Sequence, residues 1–281
     1  MGDLFTTILV QPLTNGLILF YKYLGENLGV AIILFSLLLI FILKPLTKPY
    51  LESMKKIKEL GPQLEKLKKK YGNDKLKLSQ AQSQLYKQNK INPTAGCLPY
   101  ILQFLVLIAL FQVFTVALSE EQIRSGRLNE LLYEPLKFSE GVTLNTKFLY
   151  MDISKPDTFN IPGIPFALPG LFLILATLAQ FLSVKISSPY ISAEEKIAKK
   201  TKGDLDDTQV MMQKSMIYLM PLMTLIFGLR LPSGLALYWL VYSVFNVWQQ
   251  VSMSGWGSLT PYVNLLKSSL ASVKPKLPKK K

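Results

Sequence analysis

Apolar residues fall along this chain in long blocks that charged residues largely avoid. Five blocks stand out, at about residues 28–43, 98–118, 161–184, 216–229 and 231–251. A helix needs about 20 apolar residues to cross the hydrocarbon of a bilayer. The second, third and fifth blocks meet that length. The first and fourth are short, and cross only with help from flanking residues or a locally thin bilayer. Prolines cluster at the start of the third block, and Pro221 lies inside the fourth. A re-entrant or buried helix is the alternative for the fourth.

The linkers alternate in charge. Residues 44–93 carry 13 Lys against 4 acids, residues 185–214 carry 6 Lys and 5 acids, and the tail 252–281 has 6 Lys and no acid. Residues 119–165 hold 5 basic and 7 acidic residues. Basic linkers mark the cytoplasmic side, so five crossings leave the N-terminus outside and the tail in the cytoplasm. Residues 4–24 are apolar but interrupted by Gln11-Pro12 and Asn15-Gly16. They lack a basic start and a small-residue cleavage site, so residues 1–26 read as an amphipathic helix in the outer interface rather than a signal peptide. A sixth span is the alternative.

Within the first linker, Met54, Ile57, Leu60, Leu64, Leu67 and Tyr71 recur every three or four residues, which predicts a basic helix with one apolar stripe. Gly61-Pro62 should kink or restart it. Gly72-Asn73-Asp74 reads as a turn. A second helix with Leu78 and Leu85 should follow and end near Asn92-Pro93. The sum is a projecting helical hairpin, read either as a plain connector or as a docking or gating element. The latter is favoured by its length, long for a connector.

Composition narrows the chemistry. The chain of 281 residues is 49% hydrophobic, with mean hydropathy +0.27 and formal net charge +14. In a soluble protein that charge would suggest nucleic acid. Here it reflects cytoplasmic segments and attraction to anionic lipid or RNA-rich partners. There is no histidine and one cysteine, Cys97, which removes most metal sites, Ser-His and Cys-His catalysis, and any internal disulfide. No block carries Asp or Glu. Ion-coupled transporters usually need one, and an intramembrane protease would need paired Asp, an activated Ser or a metal. The chain is not read as an enzyme.

Polar residues inside the blocks carry the remaining signal. Trp239, Ser243, Asn246 and Gln250 are four, three and four apart and share one helical face. Gln103 and Gln180 are further candidates. Gln112, nine residues beyond Gln103, points about half a turn away. Such residues either hydrogen-bond helices together or face a cavity; spacing leaves both open.

Several motifs carry a resemblance. Lys44-Pro-Leu-Thr-Lys48 resembles the Pro-Leu-Thr motif of the YidC/Oxa/Albino insertase family. Asn92-Pro-Thr-Ala-Gly-Cys-Leu-Pro99 with Gln103 resembles the lead-in to that family's second core span. Phe148-Leu-Tyr-Met-Asp-Ile-Ser-Lys-Pro-Asp157 resembles its outer-loop motif. Leu231-Pro-Ser-Gly-Leu-Ala-Leu-Tyr-Trp239 with Asn246 and Gln249-Gln250 resembles its last span. The resemblance covers about residues 5–252, in the family's order, and is to the short form without a large outer domain.

The resemblance implies an all-α membrane protein of the bacterial plasma membrane. Its five-helix core, residues 27–251, contains the hairpin 44–93, an outer segment 119–165 and a cytoplasmic loop 185–214, and a basic tail 252–281 follows. It implies a polar groove open to cytoplasm and lipid that receives nascent membrane proteins, with no cofactor, metal or small-molecule substrate. Ribosome, Sec translocon and signal recognition machinery are the implied partners. Lys44, Gln103, Gln180, Ser243 and Asn246 are the expected groove residues. One position departs from the family, which usually has an Arg where this chain has Ile40. Lys44, four residues on, shares that face about 6 Å nearer the cytoplasm and could supply the charge by snorkelling. Arg230 is a rival cation, but the topology places it toward the outer side. The competing functions are a small-solute transporter or channel, which would show substrate-dependent flux, and a structural assembly subunit, in which the polar stripe would serve stability alone.

Overall fold

The computed structural model describes residues 3–71, 74–91, 98–118, 121, 123, 125–139, 142–163, 165–187 and 217–273. The expected turn at Gly72-Asn73, the 92–97 lead-in with Cys97, Met216, and most of the 185–214 loop and the 274–281 tail lie outside them. The structure is 75% helical. Its strands are two minimal hairpins, Lys147–Phe148 with Met151–Asp152 and Thr158–Phe159 with Leu168–Pro169.

The N-terminal segment is helical throughout: Asp3–Phe5, a π-helical turn at Thr6–Val10, then α1 (Gln11–Tyr23). Gln11-Pro12 and Asn15-Gly16 interrupt the apolar run but not the helix. The π turn shifts the hydrogen-bond ladder just before Pro12, so the missing proline N–H falls where the ladder is already irregular. Asn15 is committed to tertiary bonds. Its Nδ2 donates to the carbonyls of Gln11 (2.8 Å) and Leu131 (2.7 Å), and its Oδ1 accepts from Tyr133 N (2.7 Å). Gly16 admits the Phe35 ring, which a Cβ there would approach to 2.5 Å.

The long helix α2 (Leu28–Glu59) runs past the apolar block that ends near residue 43, through Pro45 and Pro49. Each proline removes one backbone donor. The rest of the ladder persists, and α2 joins the first block to the hairpin without a break. Its Leu28–Pro49 part is the one described helix long and apolar enough to cross a membrane by itself. The chain turns at Leu60 and restarts as α3 (Gly61–Tyr71), followed by α4 (Lys75–Gln88). Asp74 caps α4 by accepting from Lys77 N (3.0 Å). Buried Leu60, Leu64 and Ile91, with Ile57, Leu85 and Tyr86 packed on them, give the hairpin its own small core. α4 ends at Gln88, short of the expected 92–93.

Four more helices complete the bundle: α5 (Leu98–Gln112), ending in a π turn at Val113–Ala117, α6 (Leu171–Ser187), α7 (Ile217–Gly228) and α8 (Ser233–Ser254). The start of α6 corrects the third block. Residues 161–163 and 165–170 are not helical, because Pro162 and Pro169 bias the residues before them toward extended backbone. A turn at Gly257–Leu259 leads to α9 (Thr260–Val273), a helix within the segment read from sequence only as a basic tail. α8 packs against α6 and α2, and α1 against α2. The main core joins α1, α2, α5 and α8 to residues 128–153. Phe41, Phe104, Leu178, Leu222 and Phe227 are exposed on the outside of the bundle, as suits helices solvated by lipid.

Candidate functional site

The bundle encloses a cavity of about 150 Å³, far above the roughly 10–15 Å³ that one ordered water needs. Ile40, Lys44 and Thr47 line it from α2, Gln103 from α5, Gln180 and Ser183 from α6, and Met220 from α7. α8 contributes Tyr238, Trp239, Tyr242, Ser243, Asn246, Gln249 and Gln250, one face at helical spacing. Lys44, Gln103, Gln180, Ser243 and Asn246, chosen from four separate segments of the sequence, thus border a single space. Gln112 is not among the lining residues.

Within the cavity Tyr238, 2% exposed, hydrogen-bonds Gln103: the Gln103 Nε2 donates to its hydroxyl (3.1 Å) and the hydroxyl lies 3.3 Å from Gln103 Oε1. Its ring stacks on Tyr242 with centroids 6.1 Å apart. The Oε1 atoms of Gln180 and Gln250 are buried with no hydrogen-bond partner among the described residues. An unsatisfied buried acceptor costs about 1–3 kcal/mol. Lys44 is the one charged residue among the described lining. It is exposed, its Nζ 6.0 Å from the Phe41 ring centroid. Ile40, one turn deeper, is 9% exposed. Sequence reasoning missed Thr47, Ser183, Tyr238 and Tyr242. Tyr242 was within reach, three residues after Trp239 and four before Asn246. Tyr238 carried no such signal.

The cavity sits toward one end of the bundle, and residues 145–157 close the other. Leu28 N donates to Asn145 O (3.1 Å), Ser233 N to Lys155 O (2.7 Å) and Gly234 N to Ile153 O (3.1 Å), while Ser233 Oγ donates to Asp152 O (2.9 Å). The loop therefore supplies carbonyls to the first turn of α8, whose N–H groups have no partner within the helix. The Asp157 carboxylate, 3% exposed, does the same for α6. Its Oδ2 accepts from Leu173 N (2.9 Å), its Oδ1 from the Tyr150 hydroxyl (2.8 Å), and Tyr150 Oη accepts from Phe172 N (3.1 Å). A negative charge at a helix N-terminus is favourable in itself. Ile153 and Phe114 pack so tightly on Gly234 that a Cβ there would lie 2.6 Å from the Phe114 ring.

The loop is braced internally by Asp152. Partial burial opposes ionisation of this carboxylate, but hydrogen bonds from the Ser154 hydroxyl (2.7 Å) and N–H (3.1 Å) outweigh it and lower its pKa. A depressed carboxylate pKa stabilises the fold above the unfolded value, about 3.9, and that contribution disappears as pH falls through the folded value. Asp152→Asn should therefore melt below the parent protein at pH 7, and the gap should close as pH falls below about 4. Thermal unfolding of both proteins across that range checks this.

A family model for the 60Kd inner membrane protein matches residues 19–257. The chain is 35% identical over 229 residues to a membrane protein insertase YidC of Fusobacterium nucleatum, covering 82% of this chain and 86% of that one. It is 32% identical to the YidC of Oleidesulfovibrio alaskensis over 87% of this chain, and 31% identical to that of Prosthecochloris aestuarii over 99%. It spans only 38% and 40% of those two longer relatives. With a family model matching residues 19–257 and a relative 35% identical over 82% of its length, the chain belongs to the 60Kd inner membrane protein family, that of the YidC insertases.

Proposed function

We propose that this chain is a membrane protein insertase that takes the polar part of a substrate into the cavity while the substrate's apolar segment passes into lipid. The carrying observation is the cavity's chemistry: one cation, two unpartnered amide oxygens, several hydroxyls and no acid among the described lining residues. An Asp at mid-bilayer costs on the order of 3 kcal/mol. A polar recess reaching partway across reduces that barrier without a continuous pore, and the loop clamp keeps the far end shut.

In this reading α2, α5, α6, α7 and α8 are five spans, with residues 1–26 an interfacial helix outside and residues 252–281 cytoplasmic. The 145–157 loop is then the outer seal, and Lys44 stands at the cytoplasmic mouth as the groove cation in place of the Arg that Ile40 replaces. The alternating linker charge supports this orientation. The basic hairpin and tail suit contacts with ribosome, Sec translocon or signal recognition machinery. Gln103, Gln180, Ser243 and Asn246 hydrogen-bond the substrate's polar groups in transit.

Reconstitution tests it. A short single-span substrate with an acidic outer tail is synthesised beside liposomes holding the purified chain, and protease protection of the tail is scored against empty liposomes. Protection should depend on the protein and fall with Asn246→Leu. Lys44→Ala should reduce insertion of the acidic-tailed substrate more than that of a neutral-tailed one. Equal loss on both would remove Lys44 from its role. No protection above empty liposomes by folded protein would end the autonomous-insertase reading.

A further inference from the structure

The segment after α8 contains six lysines and no acidic residue, yet its first half is ordered helix. The turn joining α8 to α9 is held in place, because Gly257 lies against the backbone of Ile186 so closely that a Cβ would collide with that carbonyl. α9 therefore leaves from a fixed point at the end of the bundle where Gln249 and Gln250 line the cavity. At the same level Trp248 is 59% exposed, and exposed tryptophans of membrane proteins concentrate at the headgroup layer.

α9 has two faces. Tyr262, Leu265 and Leu266 are 66%, 68% and 61% exposed, and the sequence continues their spacing with Leu270 and Val273. Asn264 and Ser268 lie exposed on the other side. We infer that α9 is a membrane-surface helix. It lies in the headgroup layer beside the cavity mouth with its apolar stripe toward the acyl chains, and Lys267 together with the five lysines that follow α9 in the sequence draws the segment to anionic headgroups. RNA would use the lysines and leave the leucines in water. A bilayer surface rich in anionic lipid takes up both, as basic amphipathic helices do.

The test uses the full-length chain carrying Cys97→Ser, with Leu266→Cys or Asn264→Cys as the single site for an environment-sensitive fluorophore. The protein is reconstituted into vesicles of phosphatidylcholine alone or mixed with phosphatidylglycerol. Brominated lipid should quench the probe at position 266 and not at 264, more strongly in the anionic vesicles and less at high salt. Iodide should quench in the reverse order. Hydrogen exchange on the unsubstituted protein in nanodiscs gives a second reading free of any folding defect: amides of residues 260–273 should exchange more slowly with anionic than with neutral lipid. Equal iodide quenching at both positions, or exchange indifferent to lipid, would overturn the inference. So would slowing that appears only when ribosomes are added, which would make nucleic acid the partner.

Discussion

Asp157→Ala should destabilise the protein by about 2–3 kcal/mol, in the range for a buried hydrogen bond to a charged group. The carboxylate satisfies Leu173 N at the start of α6 and anchors the Tyr150 hydroxyl, so its removal strands a buried N–H and a half-buried hydroxyl together. Glutamate would not restore it: Gly170 lies against the Asp157 carboxylate with no room even for a Cβ, so an extra methylene has nowhere to go. Asn keeps one acceptor of the two and should cost less. Tyr150→Phe should reproduce part of the Ala effect, and the double variant should show less than the sum, because both residues belong to one network. Denaturant unfolding in detergent micelles measures all four. Full additivity would mean that Tyr150 and Asp157 act independently.

The second large effect runs in opposite directions on stability and activity. Gln180 brings a buried, unpartnered Oε1 to the cavity wall. Gln180→Met preserves shape and removes that acceptor, so the fold should gain about 1 kcal/mol. Insertion of the acidic-tailed substrate should fall at the same time, because a polar face of the passage has been replaced by an apolar one. Gln250→Met should behave alike. A variant that gained stability and kept full insertion would show the oxygen to be a packing fault. Loss of both would mean that Gln180 holds the bundle together, as the structural-subunit alternative requires.

The two outcomes of reading the sequence have separate physical origins. Residues such as Ser243 and Asn246 were legible because a polar side chain in an apolar helix is costly wherever it points, and helical spacing states where it points. The start of α6 was not. An apolar run of residues 161–170 looks like span in any count of hydrophobicity, and its prolines together with the Asp157 cap, sixteen residues from Leu173 in sequence, fix where the helix begins. The same holds for α2. Hydropathy stops near residue 43, but a helix ends only where its ladder fails, and two prolines four residues apart removed single bonds without ending it. α9 was hidden by the lysines of the tail, one within the helix and five after it, which dominate a charge count and leave its apolar stripe unnoticed.

The unbroken α2 also has a mechanical meaning. Ile40, Lys44 and Thr47 face the cavity from the same rod that ends at Glu59 in the hairpin. On the i to i−4 pattern, Pro45 and Pro49 leave the carbonyls of Phe41 and Pro45 without donors, which makes this stretch the most compliant part of the rod. From Pro45 to Glu59 the lever arm is about 21 Å. A bend of about 20° at the prolines would swing the hairpin base by about 7 Å. In the other direction, a load on the hairpin is converted into a small rotation of the lysine at the cavity mouth.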